Sequence, residues 1–246
     1  MGFMTALLWV FALALAEVFL LKGQLLSVVY SWTPAAVAAY FARREGLRFP
    51  VLGVPNRYLL LALFLPPLLM LLATLLALPL GEWQGLGALK EAFPKLKGMP
   101  DWAFLLFYLF AGLLLAMSVG LFYALGGEVF WRGYLWEKLR KEGFWPASLK
   151  IGALFGAWRA LFLVAHSGFS PFPLLYHFLF GVFATPGLLF FRERGRSVLA
   201  AALFLSGLQA FGFLPRALVH SPEWAGGLAE LAALALFNLL LRRWVR

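Results

Sequence analysis

Apolar residues run along this chain in long unbroken stretches, and the polar residues gather in short clusters between them. Eight such stretches fall at about residues 3–21, 24–42, 58–80, 102–125, 151–165, 173–191, 197–215 and 224–241. Most reach the roughly 20 residues of helix that a bilayer crossing needs. Lipid offers the backbone no hydrogen bonds, so a spanning segment must satisfy its own by coiling into a helix. The pattern predicts an all-α fold, a polytopic membrane helix bundle of about eight transmembrane helices. No repeat, low-complexity tract or linker divides it, so residues 1–246 are read as a single integral membrane domain. The one long connection, Gly81 to Asp101, has the length of a small lid or cap. The first run lacks a basic leader, contains Glu17 and is followed by Lys22, which marks a retained span rather than a cleaved signal.

Composition agrees: 63% of the 246 residues are hydrophobic, 13% are charged and the mean hydropathy is +0.86, against about 45–50% apolar and about 25% charged in soluble domains. The net charge of +10 would suit nucleic acid if it formed a face, but the cations sit between the apolar runs. One alternating set of loops holds Arg43 to Arg57, Lys138 to Lys150, Arg192 to Arg196 and Arg242 to Arg246, fourteen of the 21 basic residues. The other set holds Lys22, Lys90, Lys95, Lys97 and Arg216. Positive loops stay cytoplasmic, so a multi-pass protein of the inner cell membrane is expected, with both termini cytoplasmic. The absence of cysteine excludes disulfides, a thiolate nucleophile and cysteine metal ligands. Asparagine occurs only at Asn56 and Asn238, a scarcity of labile residues that points to a thermophile.

Ionisable residues inside membrane segments cost about 2.5–3.5 kcal/mol on insertion scales and are therefore read as functional. The stretch "GGEVFWRGYLWEKL", Gly126–Leu139, follows the fourth span. There Gly126 and Gly127 are read as loosening the chain before a short amphipathic helix, which "KEGFWP" ends. Within it Glu128 and Arg132 lie four residues apart, on one helix face, where they can neutralise each other. Arg159 has no local acid, and Glu17 or Glu128 is expected to compensate it. Glu230 is the remaining acid within a span. His166 and His177 flank a loop without the spacing of a zinc motif, so no metal ligands are assigned. Ser148, Ser167 and Ser170 have no histidine or lysine at a recognisable interval, which leaves a serine hydrolase unsupported.

Four stretches together resemble a known family. "GGEVFWRGYLWEKL" is similar to the first motif of the CPBP family of intramembrane proteases, also called the Abi or CAAX-protease family, where two adjacent glutamates precede three residues and Arg-Gly. "GALFGAWRAL" resembles the second motif, a Phe followed four positions later by His. "FLFGVFATPGLLFFRERGRSVLAAALFLSGLQAF" resembles the last motif region, whose final helix carries His and, four residues on, Asn. "SWTPAAVAAYFARREGL" resembles the family's second span and basic loop. The resemblance implies a bundle of about eight helices around a polar cavity. It also implies a first glutamate that activates water for peptide hydrolysis, assisted by the histidines and the Asn, with or without a metal.

Residue by residue, this chain keeps the second glutamate as Glu128, the arginine as Arg132 and the glycine as Gly133. The water-activating position is Gly127, and the second-motif histidine falls on Arg159. The last-motif His and Asn fall on Leu205 and Gln209, or on Ser206 and Ala210 if the alignment slips by one. Neither glycine nor leucine can take a proton, and arginine stays protonated. The chain is therefore expected to be a pseudoenzyme, binding membrane lipid, a prenyl-like chain or a membrane-protein partner in the old substrate cavity. No cofactor and no nucleic acid enter this reading. The competing reading is an active endopeptidase with a rearranged site, using Glu128 as base together with His166 or His177.

Overall fold

The computed structural model describes residues 2–245, apart from the side chains of Ser167 and Glu223. Arg246 in the cytoplasmic charge set, and the side chain of Ser167 among the serines, thus lie outside the described residues. Seven helices are long and apolar enough to cross a membrane, and a bent pair makes an eighth crossing. They are α1 (Gly2–Leu20), α2 (Gly23–Arg44), α3 (Arg57–Ala77), the pair α5 (Asp101–Met117) and α6 (Val119–Glu128), then α8 (Phe144–Ser167), α9 (Pro171–Arg194), α10 (Val198–Phe211), whose span runs on to Leu218, and α12 (Glu223–Leu241). The short helices are α4 (Gly85–Glu91), α7 (Leu135–Leu139) and α11 (Leu214–Leu218). The expected polytopic all-α bundle is thus present. Leu8, Leu68, Phe110 and Leu239 stand exposed on its outside. A soluble protein rarely exposes so much apolar surface; a bilayer accommodates it.

Helix α10 is the most enclosed, packing on α3, α5, α6 and α9. The closest packing joins α8 to α9 and depends on small residues. A Cβ on Gly156 would lie 2.3 Å from the carbonyl oxygen of Phe178, and one on Gly181 would lie 2.4 Å from the Cα of Gly156. Bare backbone here lets the two helices touch, the usual route to association where lipid removes the hydrophobic drive.

The structure differs from the sequence reading at the start of the fifth span and within the fourth. The fifth span begins at Phe144, not near residue 151. Gly143, at φ +95°, turns the chain directly into α8, and Pro146 sits in its first turn. A proline there removes an N–H that has no helical acceptor anyway, so "GFWP" starts a helix as well as stopping one. The fourth span bends by 40° at Ser118.

Gly126 and Gly127 do not loosen the chain. Helix α6 runs through both, passes into a π-helical stretch, Val129–Tyr134, and continues as α7. The short helix after the fourth span is therefore a buried continuation of that span. Only its far side, with Lys138 and Arg140, reaches the surface. Gly126 serves close approach instead, since a Cβ there would lie 2.4 Å from the carbonyl oxygen of Ser31 in α2.

The segment read as a lid is a small cap. Its strand β1 (Glu82–Trp83) pairs antiparallel with β2 (Val219–His220), α4 packs on α11, and Lys90 Nζ lies 2.6 Å from Asp101 Oδ1. At the opposite, arginine-rich face, Lys138 pairs with Glu45 and Arg192 with Glu137, both at 2.5 Å. Trp136 Nε1 donates to Glu193 at 2.7 Å.

Candidate functional site

A cavity of about 540 Å³ opens among α2, α6, α8, α9 and α10. Within "GGEVFWRG", successive residues face different neighbours. Gly126 abuts α2, Gly127 and Glu128 face the cavity, and Arg132 crosses to α9.

Glu128 and Arg132 are both fully buried, and Arg132 Nη1 lies 2.7 Å from Glu128 Oε1. Arg132 Nη2 donates to Thr185 Oγ1 at 2.6 Å, and Thr185 in turn donates to the Gly181 carbonyl. The guanidinium lies 4.2 Å over the Phe155 ring, and Arg192 Nε donates to the backbone carbonyl of Arg132 at 3.2 Å. One side chain thus ties the π-helical stretch to both α8 and α9. A π stretch holds an extra residue per turn and commonly marks a functional position. Here it carries Arg132. Glu128 Oε2 has no hydrogen-bond partner.

Gly127, Arg159, Leu205 and Gln209, from three different helices, line this one cavity with Glu128. Ser206 does not. Its hydroxyl points the other way and donates to the Ala116 carbonyl at 2.8 Å. Of the two possible registers in the last motif, Leu205 with Gln209 is therefore the one that faces the cavity. A Cβ on Gly127 would meet no atom closer than 3.7 Å. Packing does not demand glycine there; a larger side chain has room.

Arg159 makes no hydrogen bond or ion pair with any described residue, and its Nε is buried without a partner. Neither expected compensator reaches it, because Glu128 is bound to Arg132 and Glu17 accepts a hydrogen bond from Thr33. The guanidinium rests on Phe180 at 4.7 Å and Phe155 at 5.6 Å. Phe155 therefore lies against two guanidinium groups, of which one, Arg132, is paired with a carboxylate. Glu230 takes no place in the cavity lining; it accepts from Tyr176, over whose ring Arg216 lies at 5.2 Å.

His166 and His177, of which the competing reading needs one beside Glu128, both line the same cavity. The available signal was the tight α8–α9 turn, Gly168–Ser170. An antiparallel hairpin centred there sets His177 beside the last turns of α8. His166 stacks at 4.7 Å on Phe162, and His177 Nδ1 has no partner. No three His, Asp or Glu side chains gather as metal ligands among the described residues. With Arg159 also on the lining, the residues present do not fit a metal ion, since the guanidinium repels a cation. Ser148 donates to the Phe144 carbonyl one turn back and is no nucleophile. The remaining wall is aromatic: Tyr30 stacks on Trp158 at 4.6 Å and donates to its carbonyl at 2.6 Å.

Residues 109–211 match the family model described as Type II CAAX prenyl endopeptidase Rce1-like. No curated protein matches the chain significantly. The matched stretch includes each of the cavity positions Gly127, Glu128, Arg159, Leu205 and Gln209.

Proposed function

We propose that this chain, whose residues 109–211 match the CAAX prenyl endopeptidase family model, is a CAAX-protease-like integral membrane protein that no longer cleaves peptides and instead holds a lipid or prenyl-like chain in the cavity. One observation carries the reading. The cavity positions at which the family's water-activating and assisting groups belong are occupied by Gly127, Arg159 and Leu205. General base catalysis needs a side chain that can accept a proton from water, and none of these three can. Glu128 has one oxygen committed to Arg132 at 2.7 Å, an arrangement that ties helices together. The aromatic wall of Tyr30, Trp158 and Phe162 offers a chain what such pockets usually provide, apolar surface with a few polar groups.

A diazirine-bearing farnesyl chain tests the proposal. On irradiation in reconstituted membranes it should label Phe162, Leu163 or Leu205, with adducts mapped by peptide mass spectrometry. Labelling confined to outward residues such as Leu68 and Phe110 would show that the cavity takes no chain.

The rearranged endopeptidase has one observation in its favour, that His166 and His177 line the cavity with Glu128. For that reading Glu128 must first leave Arg132, stranding a buried guanidinium, which is costly.

The charge distribution supports an inner-membrane orientation with both termini and the arginine-rich loops in the cytoplasm. Reporter fusions after Arg246 and within Gly81 to Asp101 should then give opposite signals. Matching signals would overturn this sidedness.

A further inference from the structure

We propose that the cavity ligand is a single-chain amphiphile with a carboxylate head, and that Arg159 is the residue that selects the carboxylate. The inference rests on the chain-binding reading above and adds the chemistry of the head. Charge is the starting point. Glu128 is bound to Arg132 at 2.7 Å, and Glu128 and Glu230 act on Arg159 only at longer range, so the Arg159 guanidinium stands on the cavity wall with no carboxylate in ion-pair range. A half-buried guanidinium whose donors meet no protein acceptor is costly. Its contacts with Phe155 and Phe180 recover part of that cost, and they leave its hydrogen-bond donors unused. A monoanion supplies both the missing charge and the missing acceptors, and a planar carboxylate matches the guanidinium fork in particular.

Size and lining set the rest of the molecule. A cavity of about 540 Å³ falls within the roughly 300–1,000 Å³ of sites that hold one small ligand, which favours one chain over two. Trp158, Phe162 and Leu163 continue the wall from Arg159 toward His166 along α8, giving the chain an apolar track. His166 and Gln209, both exposed, mark the mouth. Gly127 contributes space where a carboxylate side chain would otherwise neutralise Arg159 from within.

The test compares palmitate with hexadecanol, which share a chain and differ in the head, on the full protein in detergent by native mass spectrometry. The unmodified chain should retain palmitate at least about tenfold more tightly, as a charge-assisted pair implies. Arg159→Gln should erase the difference while hexadecanol binding stays, and Arg159→Lys should keep part of it. Gly127→Glu supplies an internal carboxylate without touching Arg159, and it should also abolish the preference, which covers the case in which Arg159→Gln fails to fold. Equal binding of acid and alcohol by the unmodified chain, or a preference that survives both Arg159→Gln and Gly127→Glu, would overturn the carboxylate assignment and leave chain binding standing. Retention of neither molecule, together with no labelling by the farnesyl probe, would remove both.

Discussion

Glu128→Gln is expected to destabilise the detergent-solubilised protein by about 3–5 kcal/mol, the range for removing one member of a buried ion pair. Both side chains are fully enclosed, so no solvent moves in to replace the lost charge. The substitution leaves Arg132 and Arg159 both lying against the Phe155 ring without a counter-charge. The loss propagates because Arg132 also holds Thr185 in α9. Thr185→Val, which removes one acceptor and leaves the charges paired, should cost only about 1–3 kcal/mol. The double change Glu128→Leu with Arg132→Met should regain part of the loss, since an apolar pair of similar volume replaces a buried ion pair with little penalty. Denaturation monitored by tryptophan fluorescence separates these cases. A neutral Glu128→Gln would mean that water reaches the pair, and its architectural role would be withdrawn.

The spans were legible because bilayer crossing imposes a length and an apolar composition on each helix, and both are readable without knowing neighbours. What packing decides was not. Ser118 lies in an unremarkable "AMSVG", and nothing local announces the 40° bend. Gly126 was read as a loosening residue, yet it is fixed by the approach of Ser31 in α2, a contact between residues far apart in sequence. The spacing of Gly152 and Gly156 did carry the signal for the α8–α9 contact, as small residues four apart on one face. Pro146 was ambiguous in principle, because a proline that ends one helix is equally at home in the first turn of the next.

The site was legible in part. The spacing of Glu128 and Arg132 allowed the ion pair, and Arg159 stood out as a cation without a local acid. Phe155, one turn before Arg159, was within reach of sequence reasoning, whereas Phe180 was not, since it comes from the next helix. The choice between Leu205 and Ser206 had to wait for the rotation of α10, which turns Ser206 toward Ala116. His166 and His177 flank a loop in the sequence and their separation fits no single helix face; they meet at the cavity only through the hairpin fold.

The claim that hydrolytic chemistry has left this cavity is the one with the largest functional consequence. On the proposed reading, the family's positions for the general acid and base, worth typically about 10²–10⁴-fold, fall on Gly127, Arg159 and Leu205, which cannot exchange that proton, and Arg159 offers charge stabilisation without generating a nucleophile. Gly127→Glu alone should remain inactive, because the two histidine positions stay filled by Arg159 and Leu205. The most direct measurement is cleavage of a fluorogenic prenylated peptide by the reconstituted chain at high enzyme excess, with and without added zinc, alongside Glu128→Ala. The account predicts no product from either protein above a vesicle blank. Product formed by the unmodified chain and lost in a folded Glu128→Ala variant would contradict it, and would assign the chemistry to Glu128 with the cavity histidines.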